Sequence, residues 1–557
     1  MTFNKLGIII LTNRGKTAEK IFREENKMKR FISLTLALVM MLAMFAGCSS
    51  KEETTTAAQA GDTTTAAGEQ TTQSTEGKNV RTDLVMTSTA DIVTLDPPES
   101  TDSYSNTVIN MVFDTLIDMD ENSEFIPGLA ESWEISDDYL TITFKIREGV
   151  KFHNGETLTP SDVKFSLDRA KYEIPQSKAM LEAVEEILCD DEAMTVTLKM
   201  LQPSAAIMVN LTESAMHIQN QKFVEEHPED INQVACGTGP MKLEEWKIND
   251  YCKLVRFDEH WAGTPVTTSW TIKVVPEPTS RTIALEAGEV DLVMPINAID
   301  IPRVMDNQDL KTMEVPGSSV VYISFNHNKE PWNNKLVRQA LHYATDKQSM
   351  IDVVYEGYAL PGESPFPSIM PFFKSNPYEY DLEKAKALMV EAGFPDGIGR
   401  AVELGVSSDA GNRIAQIFQA DCAKIGVEIE IALMEFGTLM EHCDGNQDLI
   451  MLGWGHATNQ DRTMRMNFHS STIGPNGNRS WLKNDQIDEL IDKGAVEMDQ
   501  AKREAIYHEL QDVIADEVPW IPLLQQINVY GMNKGLEGVN WYKRGGGYYC
   551  NAYVVED

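Results

Sequence analysis

Residues 139–146 read YLTITFKI, apolar and polar in strict alternation, the period of a strand with one face buried. Residues 194–199 (MTVTLK) and 252–257 (CKLVRF) carry the same pattern and predict two more strands. Other stretches change to helical spacing. Thr159 followed by Pro160 and Asp162 is a helix start: a capping hydroxyl, a proline where no N–H is needed, and an acid in the first turn. Val163, Leu167 and Ala170 then fall on one face. Asn334 precedes Leu336, Val337, Ala340, Leu341 and Ala344 at the same spacing. Asp381 opens a helix that stops at Gly393 with Pro395 beyond, and Asp499 opens one stopped by Pro519. Strands and helices mix without a strict β-α-β rhythm, which predicts an α/β or α+β body from about Asn79 to Asp557.

The N-terminal part has a different pattern. Lys29-Arg30 precede FISLTLALVMMLAMFAG, an uncharged run of 17 residues, and then Cys48. A positive pair, a short apolar core and small residues before a cysteine read as a secretory signal, shorter than the roughly 20 apolar residues of a spanning helix. Phe45-Ala46-Gly47-Cys48 resembles a bacterial lipobox, apart from Phe45 where Leu is usual. That resemblance implies cleavage before Cys48, lipidation of Cys48 and retention on the outer face of the cytoplasmic membrane. Residues 1–27 lie upstream of a natural start at Met28 and are expected to be an over-long reading of the gene. Residues 49–78 repeat TTTAA and contain no aromatic residue and no Leu, Ile or Val, so no core forms there. They are read as a tether.

Composition narrows the function. The 557 residues carry 48 Lys and Arg against 85 Asp and Glu, a formal net charge of −37. A surface so acidic excludes sequence-independent binding to nucleic acid or anionic lipid. A chain of this length builds more than one core. Seven cysteines are too few for a disulfide scaffold. Cys236 and Cys252 flank an expected hairpin and are read either as a pair or as buried free thiols. No connectivity among Cys189, Cys236, Cys252, Cys422, Cys443 and Cys550 follows from spacing.

Catalytic and metal motifs do not accumulate. There is no HExxH, CxxC, GxxxxGK[ST] or GxSxG, and the histidines do not cluster at ligand spacing. Ser161 to Lys164 and Ser480 to Lys483 each match S-x-x-K, but no K-T-G partner exists, and Ser161 is explained by its place in a first helical turn. The reading is therefore not an enzyme, with no cofactor and no metal.

Longer motifs carry a resemblance. Residues 113–170, including PGLAESW, FKIREGVKFHNG and the helix start at Asp162-Val163, resemble the family 5 extracytoplasmic solute-binding proteins, the peptide and nickel receptors of ATP-binding-cassette (ABC) importers. Gly237-Thr238-Gly239-Pro240, ALEAGEVDLV at 284–293, residues 323–347, YDLEKAKALMVEAGFPDG at 380–397 and VPWIPLL at 518–524 follow in the same order. The resemblance implies a two-lobe α/β fold of the periplasmic-binding-protein type (type II, cluster C) with an extra inserted subdomain. Lobe I is expected at 79–112, 235–326 and 525–557, the inserted subdomain at 113–234 and lobe II at 327–524. It places the outgoing crossing between lobes near Phe325-Asn326 and the return at 523–529, with Thr238 and Gly239 also at the lobe junction as hinge residues.

The resemblance also implies where a ligand sits. In peptide-binding relatives an Asp three residues after the Trp of a Gly-Trp motif takes the ligand ammonium. Here Gly453-Trp454-Gly455 is followed by Ala457, which cannot pair with an ammonium. Asp461 is the next acid, and Arg462 or Arg465 would grip a carboxylate. Asn478 and Arg479 are expected on a loop facing the pocket, and Ser88, Thr89 and Asp91 at the end of the first strand. The expected function is a monomeric, lipid-anchored receptor that delivers short peptides or glutathione-like solutes to an ABC permease. Alternatives on the same fold are a receptor for a nickel chelate, haem or opine, a surface sensor or adhesin, and, as a minor case, an extracellular hydrolase.

Overall fold

Local rules account for the helix ends. Thr159 caps the helix Pro160–Asp168 and exchanges hydrogen bonds with Asp162 in a capping box. Asn334, Asp381 and Asp499 cap Lys335–Ala344, Leu382–Glu391 and Gln500–Glu517, each accepting a first-turn N–H. After Leu382–Glu391 the chain turns through Gly393 at φ 90°. There Phe394 N–H bonds Met389 O and Gly393 N–H bonds Val390 O, the paired closure that favours glycine. The computed structural model describes residues 79–120, 124–455, 459–542 and 547–556. The signal segment, Cys48, the tether, His456 and Ala457 lie outside the described residues.

Lobe I is built on the strand Asp83–Ser88. It runs parallel to Ser269–Val274 on one side and Leu292–Val293 on the other, and the hairpin Met241–Lys247 and Tyr251–Arg256 extends the sheet. Its core gathers Leu84, Met86, Leu254, Trp270 and Met532. The inserted subdomain has its own four-stranded antiparallel sheet, in the order Ala130–Ile135, Thr141–Ile146, Thr195–Met200, Val184–Asp190. Thr141–Ile146 and Thr195–Met200 bury alternate residues against a separate core around Phe144, Phe152 and Leu198. In lobe II the parallel strands Glu428–Leu433, Ala401–Val406 and Leu449–Gly455 carry helices on both faces.

Two long strands join the lobes. The outgoing strand Leu310–Phe325 and the return strand Trp520–Asn533 pair antiparallel. From Leu310 opposite Asn533 to Pro316 opposite Ile527 they belong to lobe I; from Val320 opposite Gln525 to Ser324 opposite Trp520 they belong to lobe II. The register shifts between Pro316 and Val320. A Cβ added to Gly317 would lie 2.8 Å from Gln526 O, so the strands approach there more closely than a side chain allows. The crossing is thus at residues 317–319 and 525–527.

That placement corrects the outgoing hinge. Phe325 is fully buried in lobe II with its ring centroid 5.5 Å from that of Trp332, and Asn326 donates to the Gly445 and Gln447 carbonyls at 2.7 and 2.9 Å. Neither residue can flex without breaking the lobe II core, and lobe II begins at Val320 rather than 327. Thr238 and Gly239 are also corrected. Thr238 Oγ1 donates to Asp114 Oδ2 at 2.8 Å, and Gly239 N–H bonds Val112 O at 3.0 Å. They stitch the inserted subdomain to lobe I, away from the crossing strands.

The inserted subdomain also touches lobe II directly. Ala205 N–H donates to Ala495 O at 3.0 Å, and Asn459 Nδ2 donates to Asn210 Oδ1 at 2.6 Å with both asparagines buried. Among the described residues no helix is long and apolar enough to cross a membrane.

Candidate functional site

The Gly453-Trp454-Gly455 segment ends the strand Leu449–Gly455. One edge of this strand pairs with the outgoing strand along its whole length, from Leu449 opposite Phe325 to Gly455 opposite Ser319. On the other edge Ala401–Val406 pairs only at Leu449 and Ile450. Residues 451–455 therefore present a backbone edge with no ladder partner among the described residues, next to an exposed glycine at 453. Unpaired strand edges accept extended chains. This edge lies at the carboxyl end of parallel strands, where open α/β sheets bind ligands.

Register places Trp454 more closely. Trp454 is directly opposite Val320, Val320 opposite Gln525, and Gln525 opposite Leu360. Directly opposed residues share a face, so these four side chains form one row across four strands. On that face a cavity of about 160 Å³ opens, lined by Val320, Leu360, Phe366, Phe373, Glu363 and Gln525 among others. Trp454 packs in the same apolar group as Phe366, Phe373 and Tyr322. Gln525 Nε2 donates to Gly317 O at 2.7 Å while its Oε1 accepts Ser368 N–H at 2.9 Å. One wall of the cavity is thereby tied to the crossing itself.

The charged candidates divide into spent and available groups. Asp461 is buried in the first turn of the helix Gln460–Phe468, where Arg503 pairs with one carboxylate oxygen and the Tyr507 hydroxyl donates to the other. Burial pushes the Asp461 carboxyl up from its usual range, against the opposite pull of Arg503 and Tyr507. With both oxygens occupied, Asp461 is not open to a ligand ammonium, which corrects the role expected of it. Arg465 is likewise spent: Nη2 meets Asp492 at 2.6 Å. The half-buried Arg462 guanidinium makes no hydrogen bond or ion pair among the described residues. Arg479 donates through Nε to Pro475 O at 2.7 Å, lies beside the Tyr322 hydroxyl and has no carboxylate partner among the described residues. Asn478 is wholly buried and braces the loop behind Arg479, donating to Leu482 O at 3.0 Å and accepting from Ser480 Oγ at 2.6 Å.

On lobe I, Ser88 Oγ donates to Ala90 O and Thr89 Oγ1 to the Tyr104 hydroxyl, both at 2.6 Å. Asp91 accepts from Trp246 Nε1 at 3.0 Å and from Asn249 N–H at 2.6 Å. All three make these bonds inside lobe I, at the carboxyl end of its first strand. The six described cysteines are free thiols, so Cys236 and Cys252 do not pair; burial pushes their thiols up to about 11 and about 12. No cluster of metal-ligating side chains occurs among the described residues.

Sequence reasoning missed Arg503, Tyr507, Gln525, Leu360 and Phe373. The first two follow Asp461 by about forty positions, and nothing local marks the partnership. Gln525 sits inside an apolar strand, where a lone amide is the one visible signal.

The model of the bacterial extracellular solute-binding proteins, family 5 Middle, matches residues 124–476. The chain belongs to this family. It is similar to the glutathione-binding protein GsiB of Escherichia coli (strain K12), 29% identical over 474 residues that cover 82% of this chain and 91% of that protein. Among solved structures it resembles the periplasmic binding protein DppA of Helicobacter pylori in complex with the peptide STSA. The two are 27% identical with a TM-score of 0.71, covering 85% of this chain and 98% of that one. HbpA2 of Haemophilus parasuis superposes with a TM-score of 0.77 at 26% identity, covering 85% and 99%. The chain is thus a two-lobe, extracytoplasmic solute-binding protein of an ABC importer, a receptor and not an enzyme.

Proposed function

We propose that the protein captures short peptides or peptide-like solutes, glutathione-like ones included, and releases them chemically unchanged to its permease. The observation that carries this reading is the unpaired backbone edge at 451–455 beside the cavity at the crossing. An extended ligand would pair its amide groups with that edge, as peptides do when they add a strand to a sheet. Arg462 and Arg479 supply guanidinium groups for ligand carboxylates, a bidentate match. The ligand-binding properties of GsiB and DppA support the same solute class. Ser88 and Thr89 would approach the ligand from lobe I. A ligand touching both lobes binds the closed form better than the open one and shifts the balance by that difference.

Isothermal titration of the receptor with di- to pentapeptides and with reduced glutathione tests this. Saturable binding of at least one of these solutes is expected; failure of all of them would overturn the reading. Anchoring through Cys48 is part of the proposal, supported by the lipobox-like sequence before it. Cys48→Ala should release the protein from the membrane fraction into the medium, and persistent retention would refute lipid anchoring.

A further inference from the structure

The cavity beside Trp454 has a chemistry narrower than that of a general peptide groove. Most of its wall is apolar: Val320 from the outgoing strand, Leu360 from the strand Ala359–Pro361, and Phe366 and Phe373 from the loop that follows. Its volume, about 160 Å³, matches apolar protein cavities of roughly 150 Å³ that accept a benzene-sized group. The polar atoms around it are largely occupied. Gln525 is bonded at both ends of its amide, the Ser364 hydroxyl donates to Gln511 at 2.9 Å, and Glu363 accepts from Ser375 at 2.6 Å. A polar ligand group entering here would leave water for few free partners, whereas an apolar group loses nothing.

We infer that this cavity is a side-chain subsite that selects peptides carrying one leucine-, methionine- or phenylalanine-sized residue over peptides with only small or acidic side chains. The inference rests on the peptide-receptor reading above and sharpens it. Register carries the position: Val320 opposes Trp454, so a chain lying along the edge at 451–455 passes the mouth of the cavity within reach of one side chain. Glutathione offers only a carboxylate, a thiol and a hydrogen at its side-chain positions, and none of them fills the space. Because Val320 and Gln525 stand at the crossing, the subsite is complete only when strands of both directions keep their closed arrangement.

The test is calorimetric titration of the whole receptor with Ala-Ala, Ala-Leu, Leu-Ala, Ala-Phe, Ala-Asp and reduced glutathione. At least one leucine- or phenylalanine-containing peptide should bind about tenfold or more tightly than Ala-Ala, since one or two methylenes in an apolar pocket discriminate on that scale. Two half-buried wall residues allow opposite changes. Leu360→Trp fills the space and should abolish the preference while Ala-Ala still binds. Phe373→Ala enlarges it and should move the preference from leucine towards phenylalanine. Equal affinity for Ala-Ala and every larger peptide, or a preference that survives both substitutions, overturns the subsite and leaves the peptide receptor standing. Tight binding of glutathione with none of the dipeptides overturns the subsite alone. No binding by any of the six overturns the peptide-receptor reading, and the subsite with it.

Discussion

At the scale of single residues, Asp461 shows how far chemistry depends on a distant partner. Its position after a Gly-Trp motif suggests a ligand group, but Arg503 and Tyr507, on another helix, consume both oxygens. Removing one member of such a buried pair leaves an uncompensated charge and costs about 3–5 kcal/mol. Asp461→Ala should therefore lower stability by that order in urea unfolding, and unchanged stability would show that the pair is not buried in solution. Lys347 offers a pH test. Burial lowers its pKa from 10.5 to about 7, and its ammonium donates to Gly362 O in the wall of the cavity. Between those two values the unfolded chain binds one more proton than the folded one, so this residue makes stability rise with pH through the window. Lys347→Met removes the contribution. The stability difference between variant and wild type should be most favourable to the variant at pH 7 and shrink by pH 9.5; a difference independent of pH would contradict the assignment.

At the scale of elements, the legible features were those set within a few residues. Thr159, Asn334, Asp381 and Asp499 cap helices because a side chain need only reach an N–H two or three positions on. The strands at Thr141–Ile146 and Thr195–Met200 were legible because one face is buried and the other wet. The outgoing hinge was not. Its position depends on where two strands about two hundred residues apart exchange one lobe for the other, and residues on both sides of that point are equally apolar. The contact of the inserted subdomain with lobe II was invisible for the same reason. It yields a prediction of its own. Asn210→Ala removes the acceptor of the buried Asn459 amide, and the unpaired group costs about 1–3 kcal/mol in the closed form. Opening hydrates both groups, so ligand affinity should fall about tenfold, chiefly through faster release. Stopped-flow dissociation of a bound peptide measures this, and an unchanged release rate would mean that the contact does not hold the lobes together.

At the scale of the whole molecule, the two lobes have separate cores and share only the outgoing and return strands as covalent links, so the body can open without unfolding either half. Family membership and the fold of the relatives agree with a receptor whose work is capture and release. The ligand remained illegible from sequence because its contacts come from strand edges, and backbone carries no residue code. Small-angle X-ray scattering of the ligand-free and peptide-saturated protein addresses capture directly. A decrease in radius of gyration on saturation, reversed on removal of the peptide, is the expected result. Identical scattering curves under saturating ligand would contradict closure of two lobes around a solute.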